Sequence, residues 1–414
     1  TIGEGLGHGT MYLDVWDTMA PLAATIYYWI ALIFGKSVLA LNILGFLLNF
    51  LIAMLLNSMF IQNKVYEQNT YVPAFVYIIL SNLLASFSLF SPLQIGLVFV
   101  LLALGNLLGH IEFRAKRDEQ IMNIGLFIGI AVLFYFPLIV FVPIMLVLFI
   151  VFTSTRNRRY LLFLLGSLLP LAFAFCYYWV ATDKAGYFVQ HFILPYFYFD
   201  RPEAEWWALI KIALPLILLL LAGAFSTQVQ RRLNNFQVRL NQLFLLFLLL
   251  TFSRYLLVPE FTASTLQIFL PLINFFVVHL LLLFRRGLVG ELITLVFVAL
   301  IVFSLFDEAR GITGWFNRQE EVKLLSTVDE IKYVEGRSMM VLGDYKELYN
   351  YGSLATPFYD WRLSAPFFES LDYYDNLVFL QESMHRLEPE IIIDEANLWG
   401  PISERLPLVT SKYR

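Results

Sequence analysis

The residues best suited to chemistry stand near the start of the chain. There Gly3-Glu4-Gly5-Leu6-Gly7-His8-Gly9-Thr10 runs into Met11-Tyr12-Leu13-Asp14-Val15-Trp16-Asp17-Thr18. Glu4, Asp14 and Asp17 carry carboxylates able to take a proton from an acceptor hydroxyl or to hold a hard divalent cation. A divalent metal ion, with Asp14 and Asp17 as its ligands, is the one cofactor that such a set admits. The same acids also fit a solvated loop, because a few carboxylates in a glycine-rich segment commonly do nothing but face water. The segment holds no HExxH, P-loop, GxGxxG or nucleophile motif.

A second group is cationic. Lys184, His191 and Arg201 fall in the stretch 182–207, which ends in the pair Trp206-Trp207; Lys211 follows one turn later, and Arg254 stands near the end of its own apolar run. Cations at the edge of a bilayer are costly unless they meet an anion or reach back to water. A lipid-linked phosphate is a suitable anion, and arginine binds phosphate well. The aromatic run Tyr196-Phe197-Tyr198-Phe199 suits sugar stacking and an interfacial belt equally.

The elements that must position these groups are mostly membrane helices. Of 414 residues, 59% are hydrophobic and only 14% charged, and the mean hydropathy is +0.71. A soluble domain carries nearer 25% charged residues. Apolar runs of spanning length recur at about 37–57, 72–88, 91–110, 121–136, 137–152, 161–181, 207–226, 240–258, 264–284 and 288–306, giving about ten spans. Pro137 and Pro143 predict a break that divides 121–152 into two short helices. Asn42 and Asn49, seven apart on one helix face, are expected to bond a neighbouring helix. Glu291 is expected to pair with Arg286, and His279 to serve packing.

Basic loops at Arg114-Ala115-Lys116-Arg117, Arg156-Asn157-Arg158-Arg159, Arg231-Arg232 with Arg239, and Arg285-Arg286 are expected in the cytoplasm. That places 1–20, 182–206, 259–263 and the tail from Asp307 outside. It also requires Pro21–Gly35, with Tyr27-Tyr28-Trp29, to lie along the interface rather than cross. The chain opens on Thr1 rather than Met, so a further helix upstream is expected. After Phe306 charges become frequent. Ser338–Asp344 and Pro389–Asp394 read as strands, and Glu369–Leu387 between them as helix, which predicts a small α/β domain with parallel strands. The expected division is therefore 1–36 as outer loop and interfacial helix, 37–306 as bundle and 307–414 as extracytoplasmic domain. A net charge of −4 argues against nucleic acid as a partner. The single cysteine, Cys176, excludes an intrachain disulfide.

Short motifs at both ends carry a resemblance. Tyr12-Leu13-Asp14-Val15-Trp16-Asp17 with Pro21-Leu22, then Leu32-Ile33-Phe34-Gly35-Lys36-Ser37, resembles the first outer loop and juxtamembrane helix of GT-C glycosyltransferases. The branch it resembles contains protein O-mannosyltransferases and bacterial lipid A aminoarabinose transferases. Val341-Leu342-Gly343-Asp344, Tyr349, Ala355-Thr356-Pro357-Phe358-Tyr359 and Pro389-Glu390-Ile391-Ile392-Ile393-Asp394 are similar to the outer domain of several bacterial members.

The resemblance implies a polytopic α-helical, GT-C-like protein of the bacterial inner membrane. Its activity would be transfer of a sugar from a polyprenyl-phosphate carrier to an acceptor outside the membrane. Asp17, with Asp14, then falls near the family's acidic catalytic or metal position. Arg254-Tyr255 resembles the stretch at the carrier phosphate, with Lys184, Arg201 and Lys211 as further candidates. The chain departs from the family where Ser91-Pro92 replaces an Asp-Pro turn, and no residue clearly matches the acid just after the first helix. Two other classes fit the composition: a non-enzymatic scaffold in an envelope complex, and a transporter. The transporter needs a polar path that the sequence does not offer. The partners expected are membrane lipid and the polyprenyl-phosphate-linked sugar.

Overall fold

A computed structural model describes residues 10–113, 118–153, 157–182, 185–197, 206–229, 234–257, 263–283 and 333–413, with scattered positions from 291 to 306. The chain is mostly helical with one small sheet. It divides into two units: Thr1–Ser37, Phe175–Tyr198 and Glu321–Arg414 form one, and Val38–Ala174 with Phe199–Glu320 the other. The N-terminal loop and the C-terminal domain, assigned separately from sequence, thus belong to the same unit.

In the helical unit, α1 (Val38–Gln62), α2 (Val72–Leu80), α3 (Pro92–Phe113), α4 (Asp118–Phe134), α5 (Phe141–Phe152) and α6 (Asn157–Thr182, of which the part from Phe175 belongs to the other unit) follow in order. Then come α7 (Trp206–Val229), α8 (Asn235–Thr251) and α9 (Leu270–Leu283). Among the described residues, four helices are long and apolar enough to cross a membrane: Val38–Gln62, Pro92–Ile111, Asn157–Val180 and Ser264–Leu283. The first and third leave Leu39, Phe46, Leu47, Leu165, Leu168 and Phe173 exposed. A soluble protein would hide that much apolar surface, whereas hydrocarbon covers it without cost. Ser264–Leu283 is instead largely enclosed by its neighbours.

Four of the ten expected spans, 37–57, 91–110, 161–181 and 264–284, correspond to these helices, and two others are interrupted. The run 72–88 is helical only to Leu80. Ser81 Oγ and Asn82 Nδ2 both donate to the Ile78 carbonyl, so side chains take the acceptor that the next helical turn would have used. The helix expected over 240–258 stops at Thr251 and resumes only at Arg254–Leu257. The break at Pro137 is present, as a 3-10 turn over Phe136–Val140 between α4 and α5. The expected span at 288–306 lies mostly outside the described residues, as do Arg286 and the segment 1–9 that holds Glu4.

Two devices join the helices. Asn49 Nδ2, Gln94 Nε2 and Gln267 Nε2 all donate to the Phe87 carbonyl, at 2.8, 2.7 and 3.2 Å, and Gln267 Nε2 also reaches Asn49 Oδ1 at 3.1 Å. Buried amides in this way satisfy the backbone left open by the break after α2. Asn42, expected to act like Asn49, is exposed. The second device is close packing of backbone. A Cβ on Gly125 would strike the Phe163 carbonyl, one on Gly129 the Ser167 carbonyl, and one on Gly166 the Met122 carbonyl. Gly125 and Gly129 are a GxxxG pair on α4, which lets α6 approach within backbone contact.

In the other unit, the helix Pro21–Phe34 has 14 residues, about 21 Å of rise, short of a ~30 Å hydrocarbon layer. It ends at Gly35, whose φ of 60° suits glycine and turns the chain. Strands β1 (Ser338–Leu342), β2 (Ser353–Leu354) and β3 (Ile391–Asp394) form a parallel sheet in the order β2-β1-β3, with Met340 opposite Ile392. Helices α10 (Trp361–Glu369) and α11 (Tyr374–Leu387) make the crossover from β2 to β3. Parallel strands require such a crossover. Met340, Leu342, Phe358, Phe368, Leu380 and Met384 form the core beneath them, and Trp16 from the N-terminal loop is part of that core.

Replacing Gly125 or Gly166 by leucine should cost about 1–3 kcal/mol through forced backbone displacement. It should lower the thermal midpoint of the detergent-purified protein, whereas Gly400→Ala, which meets open space, should not.

Candidate functional site

The loop 10–20 is irregular yet held at nearly every residue. Tyr12 N donates to Val15 O, and Leu13 N and Asp14 N donate to Thr10 O. Tyr12 takes φ 70°, a left-handed conformation that a bulky residue keeps only under strong restraint. Its hydroxyl donates to the Met19 carbonyl at 2.6 Å, closing the loop across Asp14 and Asp17. Burial first, and then nearby Tyr178, Tyr196 and Asp17, push the Tyr12 phenol well above its ordinary pKa, so it stays protonated.

Trp16 is the loop's anchor. Its backbone N–H donates to Pro357 O at 2.7 Å, and its carbonyl accepts from Asp360 N at 3.0 Å. The indole lies 4.9 Å from the His191 ring, 5.2 Å from Phe358, 5.4 Å from Phe367 and 5.5 Å from Phe379. Two of these contacts are edge-to-face and the one with Phe379 is stacked, the arrangements that ring quadrupoles favour. Trp16 is left 7% exposed.

The two candidate carboxylates have different surroundings. Asp14 Oδ1 accepts from Arg386 Nη1 at 2.7 Å, and Oδ2 accepts from the Thr10 N–H and hydroxyl at 2.7 and 3.0 Å. Burial alone would raise its pKa, but the Thr10 and Arg386 bonds together outweigh burial and hold the carboxyl below the usual range. Asp17 is 5% exposed, and its Oδ1 accepts from the Thr18 N–H at 2.7 Å. Next to it, Thr18 Oγ1 donates to Asp360 Oδ2 at 3.4 Å, and the Tyr196 hydroxyl donates to the Thr18 carbonyl at 3.3 Å. Asp360 is fully buried. It caps α10 through the Arg362 N–H and binds the Arg362 guanidinium with both oxygens.

Asp17, Thr18, Asp360, Arg362, Tyr196 and His191 thus gather around one turn. Its carboxylates are largely withdrawn from water, where they act more strongly on charge developing beside them. Asp360 and Arg362 were missed in the sequence; the available signal was an Asp placed to cap the helix beginning at Trp361. As ligands for a divalent cation, Asp14 and Asp17 fit poorly. Both Asp14 oxygens already accept hydrogen bonds, and among the described residues no three of His, Cys, Asp or Glu gather.

The remaining candidates lie elsewhere. Arg254 is in the helical unit, 1% exposed; its Nη2 donates to the Tyr135 hydroxyl at 2.8 Å, and its guanidinium lies 5.1 Å from the Tyr255 ring. The Tyr255 hydroxyl pairs with Thr265 Oγ1 at 3.2 Å. Lys184 and Arg201 lie outside the described residues, and Lys211 falls on α7 with its side chain outside them. His279 bonds the Phe275 carbonyl and packs on Tyr66, a packing role as expected. No family model, curated protein or solved structure matches the chain.

Trp16→Ala should destabilise the sheet-containing unit by about 3–5 kcal/mol, read as protease cleavage between residues 333 and 413 at lower denaturant. Asp14 stabilises the fold above its unfolded pKa of about 3.9 and stops doing so as pH falls through its lower folded value. Asp14→Asn should therefore lower stability at neutral pH and flatten the acid-unfolding curve below about pH 4.

Proposed function

We propose that the protein is a membrane glycosyltransferase of GT-C type, taking a sugar from a polyprenyl-phosphate carrier to an acceptor hydroxyl on the outer face of a bacterial inner membrane. The observation that carries this reading is Asp17. It is a buried carboxylate in a rigidly held loop whose sequence resembles the family's acidic outer loop. Four apolar helices of spanning length suit a protein that meets a lipid-linked donor.

In the proposed reaction Asp17 accepts the proton of the acceptor hydroxyl as its oxygen bonds to the anomeric carbon. The bond from that carbon to the phosphate oxygen breaks, and the polyprenyl phosphate leaves with the electron pair. Asp14, neutralised by Arg386, positions the loop. Arg254 and Tyr255 are candidates for the carrier phosphate on the resemblance alone. No step uses a metal. A non-enzymatic scaffold remains the second reading, and the ion pair that occupies Asp14 favours it, since that carboxylate has a structural task.

Transfer of labelled sugar from an extracted polyprenyl-phosphate donor pool should fall about 100-fold or more in Asp17→Asn membranes containing the full-length chain. Equal transfer by wild type and variant, or none by either, would favour the scaffold. For orientation, Tyr373, 69% exposed, should react as Tyr373→Cys in a Cys176→Ser background with a membrane-impermeant maleimide on intact cells. Labelling only after lysis would place the domain inside.

A further inference from the structure

His191 is buried, on the segment 185–197, and the transfer reading gives it no role. It sits in the π-helical turn Val189–Ile193, a distortion frequent at functional positions. Its Nδ1 is 2.9 Å from the Tyr12 carbonyl. A carbonyl only accepts, so Nδ1 carries the hydrogen and the neutral ring has its lone pair on Nε2. That bond fixes both the tautomer and the direction of the ring. Burial, opposed in part by the same bond, lowers the imidazole's pKa and keeps the ring neutral at neutral pH. Nε2 is therefore an acceptor, and no described residue donates to it. Trp16, whose indole lies 4.9 Å from the ring, also has an unpaired nitrogen; that N–H is enclosed, and Nε2 is not.

An open lone pair calls for a ligand that donates. A phosphate would meet a further acceptor there, whereas a hydroxyl donates to it. The ring packs on Trp16, the residue before Asp17, and on Tyr187 at 5.5 Å. Aromatic rings suit the C–H face of a pyranose, and a few fixed polar groups orient its hydroxyls. We propose that His191 binds the transferred sugar: Nε2 accepts a hydrogen bond from one of its hydroxyls and seats it beside the Asp17 turn, while Nδ1 holds the loop. The choice of the donor sugar as ligand rests on the function proposed above; the open acceptor does not. Two substitutions separate the nitrogens. His191→Asn places an amide near the position of Nδ1 and leaves nothing at that of Nε2. His191→Gln reaches the position of Nε2 and gives up the bond to Tyr12.

The test is binding of methyl pyranosides, the gluco, manno and galacto forms in turn, to the full-length protein in nanodiscs, read by saturation-transfer difference NMR. At least one should bind wild type saturably. His191→Asn should weaken it about fivefold or more, and His191→Gln should stay within about twofold. In wild type the same glycoside should slow carbethoxylation of His191 by diethyl pyrocarbonate, which attacks an unprotonated imidazole nitrogen, and leave the exposed His385 unaffected. Three results would overturn the proposal: no binding by wild type, equal binding by wild type and His191→Asn, or displacement of the glycoside by glycerol at equal concentration. If His191→Asn also lowers the thermal midpoint, carbethoxylation of wild type decides alone, and a rate that the glycoside leaves unchanged overturns the proposal. Where transfer is measurable, His191→Asn should raise KM for the donor with a smaller change in kcat. Sugar binding that depends on Nε2 without any transfer would keep this site and remove the transferase reading.

Discussion

Burial of the Trp16 indole is the interaction on which the sheet-containing unit depends. An indole removes roughly 150–250 Å² of surface from water, about 4–6 kcal/mol by area. The two backbone bonds flanking it, to Pro357 and Asp360, add about 1 kcal/mol each. The ion pair between Asp14 and Arg386, with side chains 26% and 55% exposed, contributes at most about 1 kcal/mol. The indole therefore holds the loop and the pair adjusts it. Once Trp16 is seated, Asp17 is enclosed because it is the next residue, and Thr18 comes within reach of Asp360.

The helical unit solves a different problem. Its apolar helices need no water-driven collapse to meet one another, so contact must come from fit and from amides. GxxxG on α4 provides the fit. The Phe87 carbonyl, with three amide donors converging on it, provides the polar tie where the chain leaves helical geometry. An irregular stretch among apolar helices is tolerable where its backbone is satisfied by protein.

Local pattern made part of this legible. Short apolar runs, Met339–Leu342 and Ile391–Ile393, marked the strands expected at 338–344 and 389–394, proline marked the break at 137, and Asn49 announced a polar contact. The early end of α2 was missed, because Ser81 and Asn82 act through side-chain bonds that hydropathy does not register. In the candidate site, Asp14 and Asp17 were visible as types and their separate fates were not. Asp14 meets a cation 372 positions away, and Thr18 meets Asp360 across 342. No spacing rule reaches that far: sequence offers Asp360 as a helix cap, but its place beside Thr18 emerges only once the chain has folded.

Those separations also bear on how the protein is made. Trp16 leaves the ribosome long before the phenylalanines that enclose it, 358, 367 and 379. Contacts of such sequence distance form late and slowly. Until those phenylalanines emerge, the indole and the acidic turn beside it lack their final enclosure. A truncated or stalled product would expose both, giving quality-control proteases a hydrophobic mark that the finished molecule hides.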